Sequence, residues 1–184
     1  SFPYLVFAGP CSAETQEQTY ATAKALRAGG VRFFRASLWK PRTRPGSFEG
    51  VGREGLPWLR RIEEELGMQV ATEVASASHV EEALRAGLNT FWIGARTTTS
   101  PFAVAELAEA LSGGDVTVLV KNPLNPDVEL WEGALLRLKS AGVDRIAAIH
   151  RGFSTYGKGF YRNAPLWQIP IELRRRHPAL TILV

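Results

Sequence analysis

Short runs of apolar, β-branched and aromatic residues alternate with longer segments whose apolar positions recur at helical spacing, and the alternation persists along the whole chain. The short runs predict strands at Tyr4–Ala8, Val31–Arg35, Gln69–Val74, Thr90–Ile93, Val116–Val120, Arg145–Ile149 and Thr181–Val184. The longer segments predict helices from about Glu14 to Ala28, Glu54 to Leu66, Ser78 to Ala86, Asp127 to Ala141 and Leu166 to Arg176, and one opening at Ser100-Pro101. Stop and start signals agree with these spans. Gly29-Gly30 and Gly67 follow the ends of the first two helices, while Ser100 suits an N-cap and Pro101 the first helical position. The stretch from Ala36 to Gly52 is too rich in Pro, Arg, Gly and Ser to pack as core and reads as an irregular loop.

A repeated βα pattern implies a parallel sheet with right-handed crossovers, either open and doubly wound or closed into a (β/α)8 barrel. The polar residues choose between them. Cys11, Arg35, Lys40, Glu73, Arg96, Lys121 and Arg151 follow the C-terminal ends of many different strands, which is how a barrel collects a site, whereas an open sheet concentrates one at a switch point. A barrel usually needs ~250 residues. The expectation is therefore one α/β domain over residues 1–184, a TIM barrel of which the sequence covers about six βα units and the seventh strand, the remainder lying beyond Val184.

Composition narrows the class. The 184 residues are 45% hydrophobic and 22% charged with one Cys, which fits a folded soluble chain and excludes an intrachain disulfide scaffold. No apolar run approaches the ~20 residues of a membrane span, and no targeting segment is visible, so a cytoplasmic protein is expected. Net charge is +4, and 17 of the 22 cations are Arg, a bias that suits recognition of carboxylate and phosphate. The one dense basic run, Arg174-Arg175-Arg176, falls at a helix end where cations complement the macrodipole. Nucleic-acid binding is not expected, because the cations form no stripe and the five Trp form no stacking ladder.

The candidate chemistry lies at the strand ends. Arg35, Lys40, Arg42, Arg96, Lys121 and Arg151 would repel one another in a shared cleft, and a ligand bearing phosphate and carboxylate groups would offset that repulsion. Glu73 is the main acidic residue among them. Cys11, in Gly-Pro-Cys-Ser, suits a metal ligand, a nucleophile or a small buried hydrophobe. His150 suits an acid–base group, a metal ligand or a half-buried imidazole holding a loop. His79 and His177 fall on helices and are expected at the surface.

Taken together, Gly-Pro-Cys-Ser after strand one, Arg35 through Lys40-Pro41-Arg42-Thr43 after strand two, Ile93-Gly94-Ala95-Arg96, Val120-Lys121-Asn122-Pro123 and His150-Arg151-Gly152 resemble the type I 3-deoxy-D-arabino-heptulosonate 7-phosphate synthases. The resemblance is nearest to the short-barrel branch that is fused to a chorismate mutase in some bacteria. It implies condensation of phosphoenolpyruvate with erythrose 4-phosphate, the first committed step toward chorismate and the aromatic amino acids. By similarity Cys11 is a ligand of a divalent metal (Mn, Fe, Co or Zn). Arg35, Lys40, Ala95, Arg96, Lys121 and Arg151 hold phosphoenolpyruvate, and Pro41, Arg42 and Thr43 shape the erythrose 4-phosphate site. Lys40 is the candidate for proton transfer. The family's other metal ligands, a His after strand seven and a Glu and an Asp near the last strand, are expected past Val184. A homo-oligomer and an attached or associated chorismate mutase are the partners the resemblance suggests. The neighbouring alternative is 3-deoxy-D-manno-octulosonate 8-phosphate synthase, which uses arabinose 5-phosphate and carries Lys-Ala-Asn-Arg where this sequence has Lys-Pro-Arg-Thr. A further alternative is a barrel fragment that binds phosphate esters without catalysis.

Overall fold

Apolar runs become strands here because their neighbours cover both faces, and the helices pack one apolar stripe each. A computed structural model of the chain describes residues 4–42, 44–157 and 159–184. Thr43, one of the residues expected to shape a sugar-phosphate site, lies outside the described residues. In chain order the elements are β1 (Phe7–Ala8), α1 (Gln16–Ala28), β2 (Phe33–Arg35), a 3₁₀ turn at Gly52–Gly55, α2 (Leu56–Leu66), β3 (Gln69–Val74), α3 (Ala77–Arg85) and β4 (Thr90–Ile93). They continue with α4 (Ala95–Thr98), α5 (Pro101–Leu111), β5 (Thr117–Lys121), α6 (Val128–Ser140), β6 (Arg145–Ile149), α7 (Gln168–Arg176) and β7 (Thr181–Leu183). Among the described residues the fold is α/β with seven strands, as the alternation predicts.

The chain divides into two compact units, Ser1–Val74 with Ser78–Phe91, and Ala75–Ala77 with Trp92–Val184. In the first unit β1, β2 and β3 pair in parallel and in chain order, with Phe7 opposite Phe33, and Phe34 opposite both Ala8 and Val70. Five of the six β3 residues are buried, the signature of a strand covered on both faces. Phe34, Leu38, Leu59, Ile62, Val70 and Val80 form its core, all fully buried. Each such side chain withdrawn from water contributes on the order of 1.5–3 kcal/mol before the entropy cost is counted. Helix α1 begins at Thr15, whose side chain accepts from the Gln18 amide, and α2 stops at Gly67, whose left-handed φ of 60° suits glycine.

In the second unit β5, β6 and β7 are likewise parallel and in chain order, with Lys121 opposite Ile149 and Ile149 opposite Leu183. Trp131 of α6 is fully buried, and its indole N–H donates to the Val120 carbonyl at 3.2 Å, tying helix to strand. Asp127 caps α6 by accepting from the Leu130 amide, and Ser100 caps α5 by accepting from Ala103, the latter as the sequence predicts.

Several boundaries differ from the sequence reading, and one short helix is added. Strand β1 starts at Phe7 rather than Tyr4, because Tyr4 and Leu5 stay exposed outside the ladder. Strand β2 starts at Phe33 rather than Val31. Helix α7 starts at Gln168, since Leu166 holds a positive φ of 38° that an α-helix does not admit. The short helix α4 was not expected, as Arg-Thr-Thr-Thr carries weak helix propensity. Thr98 and Thr99 stabilise it by donating their hydroxyls back to the Gly94 and Ala95 carbonyls at 3.1 and 2.8 Å.

Candidate active site

The first unit builds its part from the segments that follow β1 and β2. Gly9 has φ +154°, and a side chain there would place Cβ 2.0 Å from the Arg35 carbonyl oxygen, so glycine alone lets the chain leave β1 against the end of β2. The Ala13 amide then donates to the Ser37 carbonyl at 3.0 Å, fixing the Cys11 segment beside the one that carries Lys40. Cys11 is exposed, and the Lys40 ammonium donates to its carbonyl oxygen at 3.0 Å and to its sulfur at 3.1 Å.

The loop beyond β2 is held at several points. The Lys40 amide donates to the Glu49 carbonyl at 2.8 Å, and the Arg42 guanidinium, through Nε, donates to the Phe48 carbonyl at 2.8 Å. Ser37 donates its hydroxyl to the Trp39 carbonyl at 2.5 Å. Trp39 stacks on His79, with ring centroids 4.3 Å apart and planes 11° from parallel. His79 is thus half-buried against an indole rather than a plain surface residue, and burial pushes its imidazole below the usual value, with Glu82 opposing the shift. His177 likewise is part-buried and meets Glu132 at 2.6 Å. Pro41 is exposed beside Lys40. Arg35, half-buried at the end of β2, makes no ion pair among the described residues. Glu73 is buried near the end of β3.

The second unit builds its part from the ends of β4, β5 and β6. Ala95 is buried and Arg96 exposed, both in α4. Lys121 ends β5, its ammonium 5.4 Å from the centre of the Trp92 ring. The Lys121–Ile149 register brings Asn122 beside the chain leaving β6. Asn122 is fully buried: its Oδ1 accepts from the Arg151 amide at 2.7 Å, and its Nδ2 donates to the Gly152 and Pro123 carbonyls, each at 2.8 Å. The Arg151 guanidinium donates to Asn163 Oδ1 at 2.8 Å and more weakly to the Gly152 carbonyl at 3.4 Å. Burial, then the nearby Arg96 and Arg162 cations, push it below the usual arginine range. Among the described residues no carboxylate pairs with Arg96, Arg151 or Arg162. Arg96 and Arg162 thus both act electrostatically on Arg151, a grouping of cations that suits an anion. His150 is buried, its Nε2 lies 2.6 Å from the Pro165 carbonyl, and its ring leans on Phe153 and Trp167, so it holds the following loop.

The structure therefore brings Lys40 to Cys11 within one unit, and Arg96 to Arg151 within the other. Sequence reasoning passed over Asn122, Asn163 and Arg162. Asn122 carried a readable signal, a polar residue immediately after a strand, whereas Asn163 and Arg162 sit in a loop with no local pattern.

A family profile described as the DAHP synthetase I family matches residues 2–184. The chain belongs to the DAHP synthetase I family. Among curated relatives, the phospho-2-dehydro-3-deoxyheptonate aldolase of Thermotoga maritima is 29% identical over 181 residues, which is 98% of this chain and 52% of the relative. The chain thus spans about half the length of that relative. A 2-dehydro-3-deoxyphosphooctonate aldolase of Geotalea daltonii is 31% identical over 161 residues, covering 83% of this chain and 57% of the relative. The crystal structure of the Thermotoga maritima phospho-2-dehydro-3-deoxyheptonate aldolase superposes with a TM-score of 0.79 at 27% identity, over 92% of this chain and 47% of that one. A truncated form of a 3-deoxy-D-arabino-heptulosonate 7-phosphate synthase from the same organism gives 0.75 at 26%, over 92% and 59%.

A divalent metal is general to this family. Among the described residues no three His, Cys, Asp or Glu side chains come together as a metal shell. Cys11 offers one sulfur donor, and the group facing it is an ammonium rather than a second ligand. The described residues do not fit a complete metal centre. Among the same residues, no helix is long and apolar enough to cross a membrane.

Proposed function

We propose that the protein condenses phosphoenolpyruvate with erythrose 4-phosphate to 3-deoxy-D-arabino-heptulosonate 7-phosphate and inorganic phosphate. The observation that carries this reading is the cation set of Arg96, Arg151 and Arg162, which no described carboxylate neutralises, in a chain of this family. In this reading Arg35, Lys40, Ala95, Arg96, Lys121 and Arg151 are the residues that hold phosphoenolpyruvate. Pro41, Arg42 and Thr43 set the erythrose 4-phosphate site, and residues 1–184 form part of one (β/α)8 synthase domain. The 2-dehydro-3-deoxyphosphooctonate aldolase relatives support the alternative of arabinose 5-phosphate as acceptor. The Lys40-Pro41-Arg42-Thr43 segment favours erythrose 4-phosphate.

The chemistry divides among the chain's own groups. Fixed guanidiniums hold the enol phosphate with its C3 toward the aldehyde carbon, replacing a bimolecular encounter with an oriented one. C3 bonds to the aldehyde carbon, water adds at C2, and phosphate departs with the bridging oxygen, one proton of the water leaving with the phosphate and the other restoring Lys40. Lys40 donates a proton to the oxygen of the former aldehyde. Cys11 is the one donor these residues offer to the divalent metal general to the family. Glu73 and His150 have no assigned step.

Phosphoenolpyruvate consumption measured side by side with erythrose 4-phosphate and arabinose 5-phosphate tests this function. Faster turnover with the four-carbon sugar is expected; preference for arabinose 5-phosphate reverses the assignment. Binding without turnover of either leaves a non-catalytic phosphate-ester site.

A further inference from the structure

Among the described residues, Arg151 is held by uncharged groups alone. Its amide is held by Asn122, and its guanidinium has two protein acceptors, the Asn163 side-chain oxygen at 2.8 Å and the Gly152 carbonyl at 3.4 Å. The segment that supplies Asn163 is clamped against the one that carries Arg151. Phe153 and Ala164 exchange amide–carbonyl bonds of 2.8 and 2.9 Å, and His150 Nε2 meets the Pro165 carbonyl at 2.6 Å. Gly152, with φ +82°, lets the two segments touch, since a Cβ there would lie 3.1 Å from that of Asn163 and 3.0 Å from the Ala164 carbonyl. Asn163 is thus presented to the guanidinium by a closed loop whose ends are fixed on both sides.

We infer that Asn163 is a positioning residue for Arg151, a neutral acceptor that aims the guanidinium without cancelling its charge. The inference rests on the proposed role of Arg151 in holding an anionic substrate. A carboxylate at position 163 would give a stronger, charge-assisted bond to Arg151 and would relieve the repulsion from Arg96 and Arg162. For folding alone, aspartate would be the better residue there. An amide is the better residue only if the positive charge has to remain available to an incoming anion. Arg carries five N–H donors in a rigid fork, so the donors that Asn163 and Gly152 leave unused keep a defined orientation.

The two roles predict opposite results for one isosteric change. Phosphoenolpyruvate binding to the full chain is measured by titration calorimetry, with melting temperature recorded for each variant. Asn163→Asp is expected to melt at or above the wild-type temperature and to bind phosphoenolpyruvate at least about tenfold more weakly, because the new carboxylate occupies the cation. Asn163→Ala keeps the charge but loses the aim, and about three- to tenfold weaker binding is expected. Arg151→Ala is the reference for the underlying reading. If the wild-type chain does not bind phosphoenolpyruvate, or Arg151→Ala leaves binding unchanged, the assignment of Arg151 fails and this inference with it. If Arg151→Ala weakens binding while Asn163→Asp binds as the wild type does, only the inference is overturned. Should Asn163→Asp not fold, unchanged binding in Asn163→Ala overturns it equally.

Discussion

The Lys40 ammonium lies against Cys11, donating to its carbonyl oxygen at 3.0 Å and to its sulfur at 3.1 Å. Two residues far apart in sequence, one proposed to hold phosphoenolpyruvate and the other the sole cysteine of the chain, are therefore in direct contact. A ligand gripped by Lys40 covers the thiol or draws the ammonium away from it.

That contact makes Cys11 a reporter. Iodoacetamide is expected to add once to the chain, at the exposed Cys11. Saturating phosphoenolpyruvate should slow the reaction severalfold, as read by a mass-spectrometric time course. An alkylation rate indifferent to phosphoenolpyruvate would remove Lys40 from its proposed role. Equilibrium dialysis of the 184-residue chain against Mn²⁺ or Zn²⁺ should show weak uptake, since one thiolate is a poor chelator, and Cys11→Ser should lower it further. A tight stoichiometric site would contradict the donor set.

Gly9→Ala should be severely destabilising. The new Cβ would sit 2.0 Å from the Arg35 carbonyl oxygen at a φ of +154°, so β1 or β2 has to shift. A loss above about 3 kcal/mol is expected in urea unfolding. Gly46→Ala is the control. Its φ is also positive, at +78°, but the added Cβ meets nothing within 4 Å, so a cost of about 1 kcal/mol is expected.

Asn122→Ala removes an acceptor from the Arg151 amide and donors from the Gly152 and Pro123 carbonyls, all in one fully buried side chain. Buried groups left unsatisfied cost more than a hydrogen bond returns, and a loss of roughly 2–4 kcal/mol is expected. Thermal melting checks the stability, and phosphoenolpyruvate affinity should fall with it because Arg151 loses its backbone anchor. A variant as stable as the wild type would show that the three bonds are replaced by water at no cost.

The Trp39–His79 stack gives a pH dependence with a definite sign. Burial holds the His79 imidazole below its ordinary value in the folded chain, so the fold favours the neutral ring. The associated stability is present above the unfolded-state value and is lost as pH falls through the depressed folded value. Unfolding followed by denaturant at pH 7.5 and pH 5.5 should show a loss of under ~1 kcal/mol from this group, since His79 is half-exposed. His79→Phe should abolish that share while keeping the stack on Trp39. A variant with the same pH slope as the wild type would assign the effect elsewhere.

By itself the sequence determined the order of the strands and of every helix but α4, the capping at Ser100, the cation-rich strand ends and the family, because periodicity, caps and motifs are local properties of the chain. It did not determine what those strand ends do to one another. The contact of Lys40 with Cys11 depends on the Ala13–Ser37 tie between two loops, and the placing of Asn122 depends on the parallel register of Lys121 with Ile149. Asn163 reaches Arg151 only through the Phe153–Ala164 bridge closed over a long loop. Each is a pairing between segments remote in sequence, and a register or a loop closure is settled by how whole elements bury their faces, which no window of neighbouring residues records.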